Sequence, residues 1–345
     1  MESKVSVIIP TYKGAGNLPR AIDSIIDQTY NNVEVIVVDD NDPDTNGRRQ
    51  TEAAMQSYRQ YGNVKYIKHS MNKNGAAARN TGLAASSGEF ICFLDDDDFY
   101  LQDRIEKCLN LLLASPRYEG IYCGVVITNK GNFDRILKPE SPLEQRDLLL
   151  DGDRLGTGSN LFLSRKAVQF VEGFDETFIR HQDLEFMLRV LEHFKVLNLA
   201  EILIVKATNG VNNVPDYGKL RKVKELYMLK FENAIERLSP ADRNRFYVRQ
   251  YEELFYAALK SGKKEFIVQS LRELKLFRDI TFKDRMLVMI SEKRLSKKRV
   301  YKTLRPVYDS SKNRAVSNQL QKHLDASAKE RIFNVLGRMN SNTKA

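Results

Sequence analysis

Phe90-Ile-Cys-Phe-Leu-Asp-Asp-Asp-Asp-Phe99 is the stretch on which the fold turns. An apolar run of strand length stops at four carboxylates, so a buried strand is predicted from Glu89 to Leu94, ending where a sheet meets solvent. Alternation along an extended backbone would send Asp95 and Asp97 to one side and Asp96 and Asp98 to the other. Four like charges in a row are tolerable where a cation sits among them. Mg2+ or Mn2+ is typically held by one or two carboxylates, with substrate phosphates and water completing the shell. A solvated loop capping a helix from Asp103 to Leu113 is the competing account of the same residues.

Upstream, the pattern repeats. Val5-Ser-Val-Ile-Ile9 and Val33-Glu-Val-Ile-Val-Val38 read as buried strands, and Val64 to Lys68 as a third. Between them, Leu18 to Gln28 carries apolar residues at 18, 21, 22, 25 and 26, which is helical spacing. Further helices are predicted around Gln50 to Tyr61 and from Gly75 to Ala85. Near-continuous Val, Ile and Leu strands separated by helices imply an α/β protein with a mainly parallel, doubly wound sheet. Ligands of such sheets sit beyond the carboxyl ends of the strands. Those ends are Pro10-Thr11-Tyr12, Asp39-Asp40 and Asp95 to Asp98, which are predicted to converge on one crevice.

Composition narrows the classes. The 345 residues are 42% hydrophobic and 29% charged, as in a soluble globular protein. The run Val5 to Ile9 is too short for a signal-peptide core, and Ile202 to Val205 falls far short of the roughly 20 residues of a membrane span. Cys92, Cys108 and Cys123 have no metal spacing and read as reduced thiols in a cytoplasm. The charge is unevenly divided. Residues 216–345 carry 31 Lys and Arg against 15 Asp and Glu, a net of +16, whereas 1–215 carry 24 against 30, a net of −6. Two domains are therefore expected, 1–215 and a basic helical region 216–345. In the latter, Val223, Leu226, Tyr227, Phe231, Ala234, Ile235 and Leu238 form one stripe. Ser239 and Pro240 open a helix that runs to Gly262, and two more helices are predicted at Phe266 to Phe277 and Phe282 to Leu295.

Two other acidic sites stand out. A carboxylate at Asp39-Asp40 can accept a hydrogen bond from a base or a ribose, although Asp and Asn also begin turns. Asp183, near the start of a helix, can complement the helix dipole or remove a proton from a hydroxyl. Gly14-Ala-Gly16 lacks the third glycine of a dinucleotide fingerprint, and no phosphate loop or nucleophile elbow occurs. His69 and His193 read as ordinary surface residues.

Six pieces in order carry a resemblance. They are Val5-Ser-Val-Ile-Ile-Pro-Thr-Tyr12, Ile26-Asp-Gln-Thr-Tyr30, Val35-Ile-Val-Val-Asp-Asp40, Asn74-Gly-Ala-Ala-Ala-Arg-Asn-Thr-Gly82, Gly88-Glu-Phe-Ile-Cys-Phe-Leu-Asp-Asp-Asp-Asp98, and Gly173-Phe-Asp-Glu176 leading to His181-Gln-Asp-Leu-Glu-Phe186. Across about residues 3 to 215 the chain resembles the family-2 inverting glycosyltransferases of the GT-A fold. The resemblance implies a nucleoside-diphosphate sugar as donor, by resemblance a UDP-sugar, and a glycan or lipid-linked hydroxyl as acceptor. It places Pro10, Thr11 and Tyr12 around the nucleotide base, Asp40 against the base with Asp39 beside it, and Arg79 near the donor. Asp95 and Asp96 would lie toward the ribose and phosphates, Asp97 would ligate Mg2+ or Mn2+, and Asp183 would be the catalytic base. Gly158-Ser-Asn160 and Gly173-Phe174 match the acceptor-side region. Asp96 departs from the family, which often has a small polar residue at the middle of its D-x-D run.

The helical region lies outside the resemblance. Lys293, Arg294, Lys297, Lys298, Arg299, Lys302 and Arg305, interleaved with apolar residues, suit an anionic membrane surface. The same charge suits an acidic polymer acceptor or a solvated helix face, and the apolar stripes suit a homo-oligomer. Nucleic acid is not expected as a partner, because the aromatic residues sit at helix-core spacing. The rival classes are a catalytically silent nucleotide-sugar-binding or assembly protein and a nucleotidyltransferase. The latter would need a phosphate-cradling loop where this chain has only Lys13-Gly-Ala-Gly16.

Overall fold

The computed structural model describes residues 2–130, 132–208 and 216–292. The chain divides into two compact units, Met1–Gly210 and Val211 onward. In chain order the first unit holds β1 (Val5–Thr11), α1 (Leu18–Ile26), β2 (Val33–Asp39), α2 (Asn46–Met55), β3 (Val64–Lys68), α3 (Gly75–Ala85), β4 (Phe90–Phe93) and β5 (Phe99–Tyr100). There follow α4 (Arg104–Leu113), β6 (Gly120–Asn129), β7 (Asn132–Leu137), α5 (Gln145–Leu150), β8 (Phe162–Ser164), α6 (Arg165–Phe170), α7 (Gln182–His193) and β9 (Val196–Thr208).

β1 is central because it is apolar on both faces: Val5, Val7, Ile8 and Ile9 are fully buried. It pairs in parallel with β2 on one side and β4 on the other, and β2 pairs in parallel with β3. The parallel order read from the sequence therefore holds for β3-β2-β1-β4. Beyond β4 the sheet is mixed. β8 runs antiparallel to both β4 and β6, β9 runs parallel to β6, β5 pairs antiparallel with β9, and β7 pairs antiparallel with β6. Five strands close the sheet where the sequence reading stopped at Leu94. β5 is only two residues long and cannot display a period, and β8 is only three.

The helices follow their apolar faces. α1 buries Leu18, Ala21, Ile22 and Ile25, with Pro19 in its first turn. α3 opens on Asn74, whose side chain accepts from the Ala77 amide at 3.0 Å, and buries the small residues Ala76, Ala77, Ala78 and Gly82. Small residues let this helix lie close to the sheet, so Arg79 stands near the strand ends. The three cysteines are free and buried.

The second unit contains α8 (Tyr217–Lys230), α9 (Glu232–Glu236), α10 (Pro240–Ser261), α11 (Lys264–Lys275) and α12 (Phe282–Glu292). Ser239 caps α10 ahead of Pro240, and Gly262 ends it at φ +68°, a conformation that suits glycine. The stripe from Val223 to Ile235 is divided between two helices, α8 and α9, separated at Phe231, and Leu238 lies just beyond α9. Leu254, Phe255, Ile267 and Leu274 form part of the core of this unit. Among the described residues no helix is long and apolar enough to cross a membrane. The basic run from Lys293 to Arg305 lies outside the described residues.

Phe255 is fully buried in that core. Phe255→Ala should cost about 3–5 kcal/mol of stability, because the cavity adds to the lost transfer energy. Guanidinium unfolding followed by circular dichroism should show a transition moved to lower denaturant.

Candidate active site

Beyond the carboxyl ends of β1, β2 and β4 lies a cleft of about 320 Å³. It is lined by Pro10, Thr11, Tyr12, Asp40, Arg79, Asp95, Asp96 and Asp97, together with Gly75, Ala78 and Gln182. Parallel pairing brings these segments together: the Asp40 amide donates to the Thr11 carbonyl at 2.9 Å, and the Leu94 amide donates to that of Ile8 at 3.0 Å. The convergence expected of the three strand ends is thus present.

The four aspartates do not alternate along a strand. The Asp98 amide donates to the Asp95 carbonyl at 3.0 Å, closing a turn that gives each carboxylate its own surroundings. Asp95 pairs with Arg79 at 2.6 Å. Asp96 accepts from the Thr11 hydroxyl at 2.5 Å. Asp98 points inward, fully buried, and accepts from the hydroxyls of Thr157 at 2.8 Å and Ser159 at 2.6 Å. Asp97 has no side-chain cation on its carboxylate among the described residues, although Arg20 donates to its carbonyl at 2.6 Å. The crowding leaves no room for a side chain at Gly14, where an added Cβ would lie 1.8 Å from Asp96 Oδ2.

Burial raises the Asp96 carboxyl to about 7, with the charges of Asp97 and Asp95 adding to the effect. Burial and the Asp95 charge raise Asp97 to about 6. Burial, then Asp97 and Asp95, raise Asp98 to about 8. Hard oxygen donors that resist ionisation on their own suit a divalent cation. Among the described residues no three acidic, His or Cys side chains form a closed metal cage. An ion shared between one or two carboxylates and a diphosphate needs none.

On the far wall, Arg79 also donates to Gln182 Oε1 at 3.0 Å, and its guanidinium lies 5.4 Å from the centre of the Phe174 ring. Gln182 is a cleft residue that the sequence reading missed, since a glutamine beside a candidate base carries no motif. Asp183 stands next to it in the first turn of α7, half-buried. It is not on the cleft wall proper but adjoins it. A Cβ at Gly158 would lie 3.5 Å from Asp183 Cβ, 3.7 Å from Asp95 Oδ2 and 3.8 Å from Arg79 Nη2. Only a glycine thus separates Asp183 from the Asp95–Arg79 pair.

Three expectations change. Asp39, expected beside the donor, is fully buried and turned away: Asn41 donates to it from its amide at 2.9 Å and its side chain at 2.7 Å, Tyr66 from its hydroxyl at 2.5 Å, and Arg48 faces it at 3.1 Å. Successive residues at a strand end point oppositely, so Asp40 reaches the cleft and Asp39 cannot. His69 is buried, not superficial, and touches Asp40 at 2.7 Å. Ser159 and Asn160, matched to the acceptor side, are buried braces. The Ser159 hydroxyl accepts from the Asp95 amide at 3.0 Å, and Asn160 exchanges hydrogen bonds with the Cys123 backbone at 2.9 Å.

The sequence profile described as Glycosyl transferase family 2 matches residues 6–172. The amylovoran biosynthesis glycosyltransferase AmsB of Erwinia amylovora is 32% identical over 211 residues, which is 57% of this chain and 67% of that protein. Among solved structures, S. aureus TarS 1–349 in complex with UDP-GlcNAc superposes with a TM-score of 0.61 at 16% identity, over 89% of this chain and 92% of that one. The mannosyltransferase PcManGT from Pyrobaculum calidifontis, in complex with GDP-Man and Mn2+, gives a TM-score of 0.50 at 17% identity over 84% of each chain. At such identities the structural likeness is one of fold. The chain belongs to glycosyl transferase family 2, has the GT-A fold, and is a glycosyltransferase.

The raised carboxyls have a consequence for stability. Asp96, Asp97 and Asp98 keep their protons in the folded chain to about 7, 6 and 8, well above the roughly 3.9 of an unfolded Asp. The folded state therefore binds more protons between about pH 4 and 8, and metal-free stability falls as pH rises through that window. Thermal melts in EDTA should show a lower midpoint at pH 8 than at pH 5.5. Adding Mn2+ should recover more of the loss at pH 8 than at pH 5.5.

Proposed function

We propose that the enzyme transfers a sugar from a nucleoside diphosphate, a UDP-sugar, to a hydroxyl of a glycan or lipid-linked acceptor, with inversion at the anomeric carbon. The observation that carries this reading is the proximity of Asp183 and the Asp95–Arg79 pair to one another on either side of Gly158. A base on one side and a diphosphate-facing carboxylate turn on the other suit a single displacement.

Pro10, Thr11 and Tyr12 flank the base, Asp40 accepts a base N–H, and Arg79, Asp95 and Asp96 face the ribose and phosphates. Asp97, whose carboxylate has neither an ion pair nor a hydroxyl donor among the described residues, would hold Mg2+ or Mn2+, with Asp95 its neighbour. When bound, the ion supplies Lewis-acid neutralisation of the departing diphosphate. Asp183 takes the acceptor hydroxyl's proton as that oxygen forms its bond to the anomeric carbon and the bond to the diphosphate oxygen breaks. Arg79, held by Asp95 and Gln182, places its guanidinium beside the leaving group. The relatedness to an amylovoran biosynthesis glycosyltransferase supports a polysaccharide pathway, and the basic sequence of residues 216–345 supports attachment to an anionic membrane face from the cytoplasm.

Asp183→Asn should lower transfer by about 10²–10⁴-fold while leaving nucleotide affinity intact. Asp97→Ala should abolish the Mn2+-dependent part of nucleotide binding, read by calorimetry with and without EDTA. Release of free nucleoside diphosphate from a panel of donors reports both base and sugar; wild-type turnover by the Asn variant would sink the assignment of the base. Sedimentation with anionic against neutral vesicles tests the membrane reading, which indifference to lipid charge would dismiss.

A further inference from the structure

Asp40 is one of the most densely bonded carboxylates of the first unit, and the partner that holds it most closely is a histidine to which neither motif nor family assigns a role. Oδ1 meets His69 Nδ1 at 2.7 Å and the Lys73 amide at 2.9 Å. Oδ2 accepts from Asn72 Nδ2 at 2.9 Å. A carboxylate oxygen accommodates about two donors, so Oδ1 is filled and the remaining capacity lies on Oδ2. Oδ1 accepts from Lys73, so Nδ1 of His69 is the donor to it. Nε2 then takes the hydroxyl of Thr81, 2.8 Å away on α3.

The ring is fixed by more than its own nitrogens. His69 is 6% exposed, its amide donates to the Asp39 carbonyl at 2.9 Å, and its carbonyl accepts from Arg48 at 2.7 Å. It is wedged between the end of β2 and α3, the helix that carries Arg79. A threonine hydroxyl on one side and a carboxylate oxygen on the other select a single ring orientation. Rotation of the Asp40 carboxyl about its Cβ–Cγ bond would break the bonds from His69 and Lys73 together.

We propose that His69 is a positioning residue for nucleobase recognition: bridging Thr81 and Asp40, it locks the carboxylate so that Oδ2 presents its free lone pair to an N–H on the base edge. This rests on the reading that Asp40 meets the base. His69 touches no substrate; it acts through Asp40. The loss should therefore fall on ground-state binding of the donor and not on the chemical step.

The full-length chain, in Mn2+, is titrated with UDP and with GDP by calorimetry, and steady-state constants are measured with the active donor. His69→Ala should weaken nucleotide affinity and raise the donor KM by about tenfold, with kcat within about twofold. His69→Asn, whose amide can replace the Nδ1–H, should restore most of that affinity, and Thr81→Val should show a smaller loss in the same direction. If His69→Ala lowers the thermal midpoint while nucleotide affinity and KM stay at wild-type values, the residue is only a core brace and the proposal fails. Asp40→Asn separates the two readings. If it weakens affinity and His69→Ala does not, the positioning role is overturned. If Asp40→Asn itself leaves affinity unchanged, the base-binding reading of Asp40 fails instead. Should His69→Ala not fold, His69→Asn and Thr81→Val carry the test: wild-type affinity in Thr81→Val with reduced affinity in His69→Asn would refute the bridge.

Discussion

Four carboxylates crowd the mouth of β4, three of them compensated by side chains, and much of the site's architecture follows from how that compensation is arranged. Asp95 has a guanidinium, Asp96 a threonine hydroxyl and Asp98 two hydroxyls in a dry interior. The compensating groups come from three different segments of the chain: Thr11 at the end of β1, Arg79 on α3, and Thr157 and Ser159 in the turn before β8. Each is fixed in turn by what it holds. Ser159 spends its hydroxyl on Asp98 and the Asp95 amide, and its carbonyl on Tyr100 and Arg104 at 3.2 Å each. An unmet polar group in such surroundings costs its full desolvation energy, so the turn has little freedom to relax.

The mixed half of the sheet gives this arrangement its second wall. A purely parallel sheet would end with a crevice open on one side. Here β8 reverses direction beside β4, which lays the preceding turn, 157–160, against the aspartates. The segment after β8 then leads through α6 to α7. Phe174 and Phe186 stack at 4.2 Å and Phe93 meets Phe174 edge-on at 5.0 Å, so α7, which carries Asp183, is tied to β4 by aromatic packing. The separation of Asp183 from Asp95 is thereby set by core contacts and by a glycine, and not by the length of any loop.

What could be read in the sequence follows this division. β1, β2 and β4 were legible because strands buried on both faces must be apolar throughout. The convergence of their ends follows from parallel order. The aspartates were legible as a group but not individually, because a turn hydrogen bond between Asp98 and Asp95 replaces the alternation that an extended chain would have. Asp39 and Asp40 are equivalent as letters. Only the register of β2 against β1, which pairs Thr11 with Asp39, decides which of the two faces the cleft. His69 and Gln182 were silent for a different reason: their roles exist only in contacts 29 and 103 residues away along the chain. In the second unit the apolar stripe was legible as helical spacing, yet the break between α8 and α9 at Phe231 was not, since the apolar spacing runs on across it.

Charge gives the site its last constraint. A nucleoside diphosphate is an anion, and the cleft that the proposed function assigns to it offers three carboxylates on one side. The guanidinium of Arg79 is already shared between Asp95 and Gln182, and that of Arg20 is directed at the Asp97 carbonyl. Approach of the diphosphate to such a wall is repulsive at short range, where a partly buried setting screens poorly. The balance changes sign only if the carboxylates remain protonated or a cation enters with the donor. Protonation would remove the very ligands that could orient the phosphates. A divalent ion lets the carboxylates ionise and gives the diphosphate a partner. A divalent ion entering with the donor would therefore suit the charge distribution of this cleft, whichever aspartate holds it.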